Sequence, residues 1–257
     1  MKNTVLKFMF LGGLGYLLLC AFLYFNQDNL LYFPQERKET REEHTLLIPT
    51  EVGNSVVTIQ TRNTGKALIY FGGNAEDVSQ RLAKFTQIFP QYSLYLMHYR
   101  GYGSDGTPRE ETIYQDALAL YQQVAKNNAD IVLMGRSLGT GIATRLASEK
   151  PTNQLILITP YSSIEDVASE RYWGIPVPLL LKDKYLSWQY APKVTAKTSI
   201  FLATDDSVIL PANTMKLLGY FKTGLATVYH FENEGHNSIS STKMYSELLH
   251  ELTAVEL

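Results

Sequence analysis

An α/β fold, with helices covering both faces of a mostly parallel central sheet, is predicted by three observations. Short apolar runs recur from about Thr45 onward, segments of helical periodicity separate most of them, and the middle runs are almost continuously apolar. Strands buried on both faces of a parallel sheet read in that way. In chain order the expected strands are TLLIP (45–49), SVVTIQ (55–60), ALIYF (67–71), SLYLMHY (93–99), DIVLMG (130–135), QLILIT (154–159), SIFLAT (199–204) and ATVYHF (226–231). Helices are expected over 77–89, 108–126, Leu138–Glu149, 211–221 and 239–254. Two leading strands followed by alternating strand and helix fit a parallel sheet with antiparallel strands at its start. Residues 161–198, which hold Trp173, Trp188 and a proline-rich turn, read as a small lid over the sheet.

The N-terminus is different in kind. Residues 8–25, FMFLGGLGYLLLCAFLYF, run for about 18 positions without a charge, near the lower limit for crossing a bilayer. Lys2 and Lys7 precede the run, and Tyr24 and Phe25 close it as interfacial aromatics do. A cleaved signal would carry a small-residue cleavage site, which is missing. A lipoprotein signal would need a small residue before Cys20, where Leu19 stands. A buried core helix would not be apolar on all sides. Residues 1–27 are therefore expected to be an uncleaved, single-pass membrane anchor, 28–44 a charged, solvated stalk, and 45–257 the folded domain. The N-terminal lysines place that end in the cytoplasm and the domain on the other side, although Arg37, Lys38 and Arg41 pull the opposite way.

Composition narrows the partners. A formal net charge of −2, with 19 % charged residues and no basic stripe, gives no reason to expect nucleic acid. Gly101, Gly103 and Gly106 spell G-x-G-x-x-G after a strand, the dinucleotide fingerprint. That motif requires a helix to begin within the glycines, so that its amides hold the pyrophosphate. Here Thr107, Pro108 and Glu110 read as N-cap, first helical position and capping box, so the helix starts too late. No nucleotide cofactor is expected.

The chemistry points to Gly135-Arg136-Ser137-Leu138-Gly139, a G-x-S-x-G between a strand and a helix. A serine on such a tight turn needs neighbours without side chains, and the turn lifts its hydroxyl to the start of a helix. A nucleophilic serine needs a base, and the base an orienting carboxylate, in the chain order serine, acid, histidine. His230 falls in a strand and His250 in the last helix, whereas His236 lies in the loop ENEGHNS, where Gly235 permits a bend. The acid is Asp205 or Asp206, which pattern alone does not separate, with Asp166 a weaker third. The oxyanion hole would use the backbone N–H of Leu138 and one from Gly72-Gly73-Asn74-Ala75, that of Asn74 ahead of Gly73.

Together these elements resemble the α/β-hydrolase superfamily. LLYFPQ, YFGGNAED, HYRGYGSDGTPRE, LMGRSLGTGIA, DDSVI and EGHN resemble its membrane-anchored branch of protein depalmitoylases and bacterial hydrolases of unassigned substrate. The likeness runs from about Leu30 to the C-terminus. It implies an α/β-hydrolase fold, Asp206 as the acid, and a glycine turn beside the site entrance. Two positions depart from the family pattern: Gly72 replaces the histidine of its histidine-glycine-asparagine loop, and Ala203 replaces a glycine before the acid's turn. The expected activity is hydrolysis of carboxylic esters or thioesters by a Ser137–His236–Asp206 triad on a small-molecule or acylated substrate, with no metal or organic cofactor. A peptidase using the same triad, and a non-catalytic binding module on the same fold, are the alternatives.

Overall fold

The computed structural model describes residues 2–38, 41–51 and 53–254. Helix α1 (Lys2–Leu31) leads into strands β1 (Thr45–Thr50), β2 (Gly53–Gln60) and β3 (Lys66–Phe71). Then come α2 (Leu82–Ile88), β4 (Ser93–Met97), α3 (Glu110–Val124), β5 (Asp130–Arg136), α4 (Leu138–Glu149) and β6 (Gln154–Ile158). The lid carries α5 (Ile164–Arg171), α6 (Val177–Leu180) and α7 (Ser187–Tyr190). The chain closes with β7 (Lys197–Ala203), α8 (Pro211–Leu218), β8 (Ala226–Phe231) and α9 (Lys243–Thr253).

The eight strands join one sheet in the order β1-β2-β4-β3-β5-β6-β7-β8. Strand β2 runs antiparallel to β1 and β4, and β3 to β8 are parallel throughout. Strand periodicity sends alternate side chains to opposite faces. Ala67, Ile69 and Phe71 of β3 join one core with α3 and α4, while Leu68 and Tyr70 join a second with α2 and α9. Both faces are thus covered, which is why the middle strands contain so few polar residues.

Several ends differ from the sequence expectation, and at α3 a tertiary partner outcompetes the local signal. Helix α3 begins at Glu110 with Arg109 as its N-cap, and the Thr107–Glu110 capping box does not form. The Glu110 carboxylate instead accepts the backbone N–H groups of Lys184 (2.8 Å) and Tyr185 (2.9 Å) in the lid. The segment expected as one helix over 77–89 opens with a 3-10 turn, Val78–Arg81, capped by Asp77. The last helix is likewise preceded by a 3-10 turn, Ser238–Ser241, before Thr242 caps α9. Helix α8 stops at Leu218, short of 221.

The charged segment after α1 is not a free stalk over its described part. Tyr32 is buried and donates to Asp183 Oδ2 (2.8 Å), the amide of Lys38 donates to Asp77 Oδ2 (3.0 Å), and Arg37 donates to Thr45 Oγ1 (2.6 Å). Helix α1 itself is exposed along most of its length and is long and apolar enough to cross a membrane.

Candidate active site

Ser137 occupies the turn between β5 and α4 with φ 49° and ψ −118°. This region is unfavourable for any residue with a Cβ and is held only where surrounding contacts over-determine it. Here the Ser137 amide donates to Ile158 O of β6 (2.9 Å), and its carbonyl accepts from the amide and the hydroxyl of Thr140 (2.9 and 2.6 Å). The two glycines of the motif are required by contact rather than by φ. A Cβ on Gly139 would overlap the carbonyl oxygen of Phe71, and one on Gly135 would press on the backbone of Gly139 and Thr140.

The loop after β7 presents Asp206 to the same point. Asp206 is 4 % exposed, and its Oδ1 accepts the amides of Val208 and Ile209 at 2.8 Å each. Its Oδ2 faces His236 Nδ1 at 2.7 Å, and His236 Nε2 lies 2.9 Å from Ser137 Oγ. An ionised carboxylate only accepts, so Nδ1 donates to Asp206 and Nε2 is left to accept the serine proton. Asp205 is exposed, with its amide bonded to Glu234 O. The Asp166 carboxylate is engaged by Ser162 and Lys216. His230 is exposed on β8, and His250 Nδ1 donates to Ile88 O. The bend before His236 is made by Asn233, whose φ is 59°, and not by Gly235.

The loop after β3 passes beside the serine: a Cβ built on Gly73 would lie 3.6 Å from that of Ser137. The Gly73 amide is engaged, donating to Glu76 Oε2 (2.7 Å). A Cβ at position 72 would collide with the Val78 side chain, so the histidine that the resemblance puts there would require Val78 to shift. Gly101, Gly103 and Gly106 all have positive φ, and the hydroxyl of Tyr102 between them donates to Asn74 Oδ1 (2.6 Å). The glycine loop thus supports its neighbour instead of opening a helix.

The group that ties these loops together is not among the residues the sequence singles out. Arg136, 6 % exposed, donates from Nη1 to Glu76 Oε2 (3.1 Å) and from Nη2 to Asn237 Oδ1 (2.7 Å), next to the histidine. Glu76 also pairs with Arg81 (2.6 Å) and accepts from the Tyr70 hydroxyl. Burial works to raise the Glu76 carboxyl, but Arg136, Arg81 and the Gly73 amide outweigh it and hold it below the ordinary carboxylate range. The available signal was an arginine ending an otherwise apolar strand.

Part of the apolar lid stretch YWGIPVPLLL faces α1. Tyr172, Ile175, Val177 and Leu180 line a pocket of about 100 Å³ against Leu23 and Leu30 of α1. Trp173 and Leu179 point outward, 94 % and 83 % exposed.

No family model matches the chain. It is similar to an uncharacterised protein of Mycobacterium tuberculosis, 27 % identical over 205 residues, or 74 % of this chain and 73 % of that one. The human α/β hydrolase domain-containing protein 17B is 25 % identical over 218 residues, 81 % of this chain and 74 % of that protein. Among solved structures, the Pyrococcus furiosus esterase Pf2001 shares the fold with a TM-score of 0.64 at 14 % identity, covering 86 % of this chain and 96 % of that one.

Proposed function

We propose, starting from the chain's membership of the α/β-hydrolase superfamily, that it is a serine hydrolase cleaving carboxylic ester or thioester bonds. The observation that carries the reading is the continuous relay from Asp206 Oδ2 through both nitrogens of His236 to Ser137 Oγ, at 2.7 and 2.9 Å. Ser137 attacks the acyl carbonyl as His236 takes its proton, and the imidazolium then protonates the leaving group. Asp206 fixes the tautomer and stabilises the positive charge. The amides of Leu138 and Asn74 receive the tetrahedral oxyanion, where losing one donor costs about 2.7–4 kcal/mol of barrier. Water then releases the acyl group by the same steps in reverse. The exposed apolar helix α1 anchors the enzyme in a membrane, with the N-terminal lysines cytoplasmic and the domain on the opposite side.

Labelling by a fluorophosphonate, which reacts with activated serines, tests this directly. Wild type is expected to label and to hydrolyse short p-nitrophenyl esters, and Ser137→Ala to do neither. A folded wild type that does not label would overturn the reading.

A further inference from the structure

We propose that the segment leaving α1 is a working part of the active site: Leu31 and Phe33 hold the oxyanion loop in shape through the side chain of Asn74. This rests on the reading of the Asn74 amide as an oxyanion donor. Asn74 Nδ2 donates to the carbonyl of Leu31 (2.5 Å), and Asn74 Oδ1 accepts from the amide of Phe33 (3.0 Å) and the hydroxyl of Tyr102 (2.6 Å). The Phe33 amide donates to the Tyr102 hydroxyl as well (2.7 Å), which closes a ring of three residues from three separate stretches of chain.

Each partner needs the other. Leu31 is the last residue of α1, and the final carbonyls of a helix have no acceptor role inside it. Asn74 supplies the donor for one of them. On the other side, the oxyanion loop is shaped by polar contacts, among them the bond from the Ala75 amide to Asn74 Oδ1 (3.1 Å). Gly72 and Gly73 carry no side chains to pack, and Ala75 sits at φ 57°, so the backbone there is held by hydrogen bonds. The Gly72 carbonyl accepts from the Tyr99 hydroxyl (2.7 Å) and the Gly73 amide is fixed by Glu76, while Asn74 is fixed by the segment after α1. Oxyanion donors stabilise a transition state only when aimed in advance. Freeing the Asn74 side chain therefore lets its own amide turn away, without removing any group that touches substrate.

The segment is fastened along its length. Gln27 donates to Leu180 O (3.1 Å) and accepts from the Lys182 amide (2.7 Å), Asp28 pairs with Arg109, and Tyr32 bonds Asp183. Because the two groups that contact Asn74 from this side are backbone atoms, side-chain replacement at Leu31 or Phe33 does not test the contact. Removing an N–H does.

The experiment uses the full chain in detergent micelles, reading kcat and KM on a p-nitrophenyl ester, the rate of fluorophosphonate labelling, and Tm. Phe33→Pro deletes the shared N–H, and Tyr102→Phe removes the hydroxyl while keeping the ring, so it decides the matter if the proline variant does not fold. Each is expected to lower kcat and labelling rate, by up to about 100-fold for Phe33→Pro, with KM within about 2-fold. In an Asn74→Ala background, which keeps the backbone amide, Phe33→Pro is expected to add no further loss. Variants that shift Tm but leave kcat within about 2-fold of a labelling wild type would overturn the inference and leave the hydrolase reading intact. Losses that multiply in the Asn74→Ala background would overturn it too. A wild type that does not label at Ser137 would remove both.

Discussion

Asp205 and Asp206 are adjacent in sequence and opposite in surroundings. Asp206 is buried, with one oxygen held by two backbone amides and the other facing His236, whereas Asp205 is exposed. Replacing Asp206 by Asn keeps the shape but puts a donor where the imidazole needs an acceptor. Asp206→Asn is expected to lower kcat by about 10⁴-fold, as such replacements do in this triad chemistry. Asp205→Asn should stay within about 3-fold, and steady-state kinetics on one ester distinguishes them. Equal losses would return the acid's identity to an open choice. The same pair shows how far sequence reaches at this scale. Ser137 and His236, which the fold brings within 2.9 Å, were legible as candidates because a glycine-flanked turn and a loop histidine have local signatures. Pattern alone did not choose between the two aspartates, because that depends on which one the turn points inward; only the family resemblance selected Asp206. Arg136 was passed over for a related reason: its value lies in Glu76 and Asn237, which are distant along the chain.

At the scale of elements, the serine's position depends on how closely α4 approaches β3. Gly139 permits that approach, since any Cβ there meets the carbonyl oxygen of Phe71. Gly139→Ala is expected to destabilise the protein by about 1–3 kcal/mol, the usual cost of overpacking. It should also weaken fluorophosphonate labelling more than the stability loss explains, because α4 moves with the Leu138 amide. Urea midpoints beside labelling rates check this, and unchanged labelling in the folded variant would contradict it. All eight strands were readable: burial on both faces leaves the middle ones as apolar runs of strand length, and the partly exposed edge strands β1 and β8 still carry short, mostly apolar runs. Helix starts were less so. Glu110 looked like part of a capping box but serves the Lys184 and Tyr185 amides, and no local pattern announces a partner in the lid.

For the whole molecule, acid is the condition that strikes several supports together. His98 is buried between Thr58 and the carbonyl of Tyr102, and its two nitrogens are satisfied in the neutral form. Burial pushes it down to about 4, with Arg37 adding to the effect and the Tyr102 carbonyl and Asp77 opposing it. The unfolded chain takes up this proton near pH 6.5, so the stability is complete above that pH and is lost as pH falls toward 4, by about 3 kcal/mol in all. Glu76, held below its ordinary range, adds a second loss at lower pH as its carboxylate is protonated. Wild type is therefore expected to lose urea resistance between pH 7 and 4.5, and His98→Gln to lose distinctly less. Identical losses would rule His98 out. One last feature sets a waterline. The Tyr16 hydroxyl donates to the carbonyl of Gly174 (2.8 Å), fastening the lid's tip to the middle of the apolar helix. Residues 8–15 alone stand clear of it, about 12 Å of helix against a hydrocarbon thickness of about 30 Å. A bilayer that swallows the whole apolar run must then swallow the tip as well, and Trp173 rides below the headgroups.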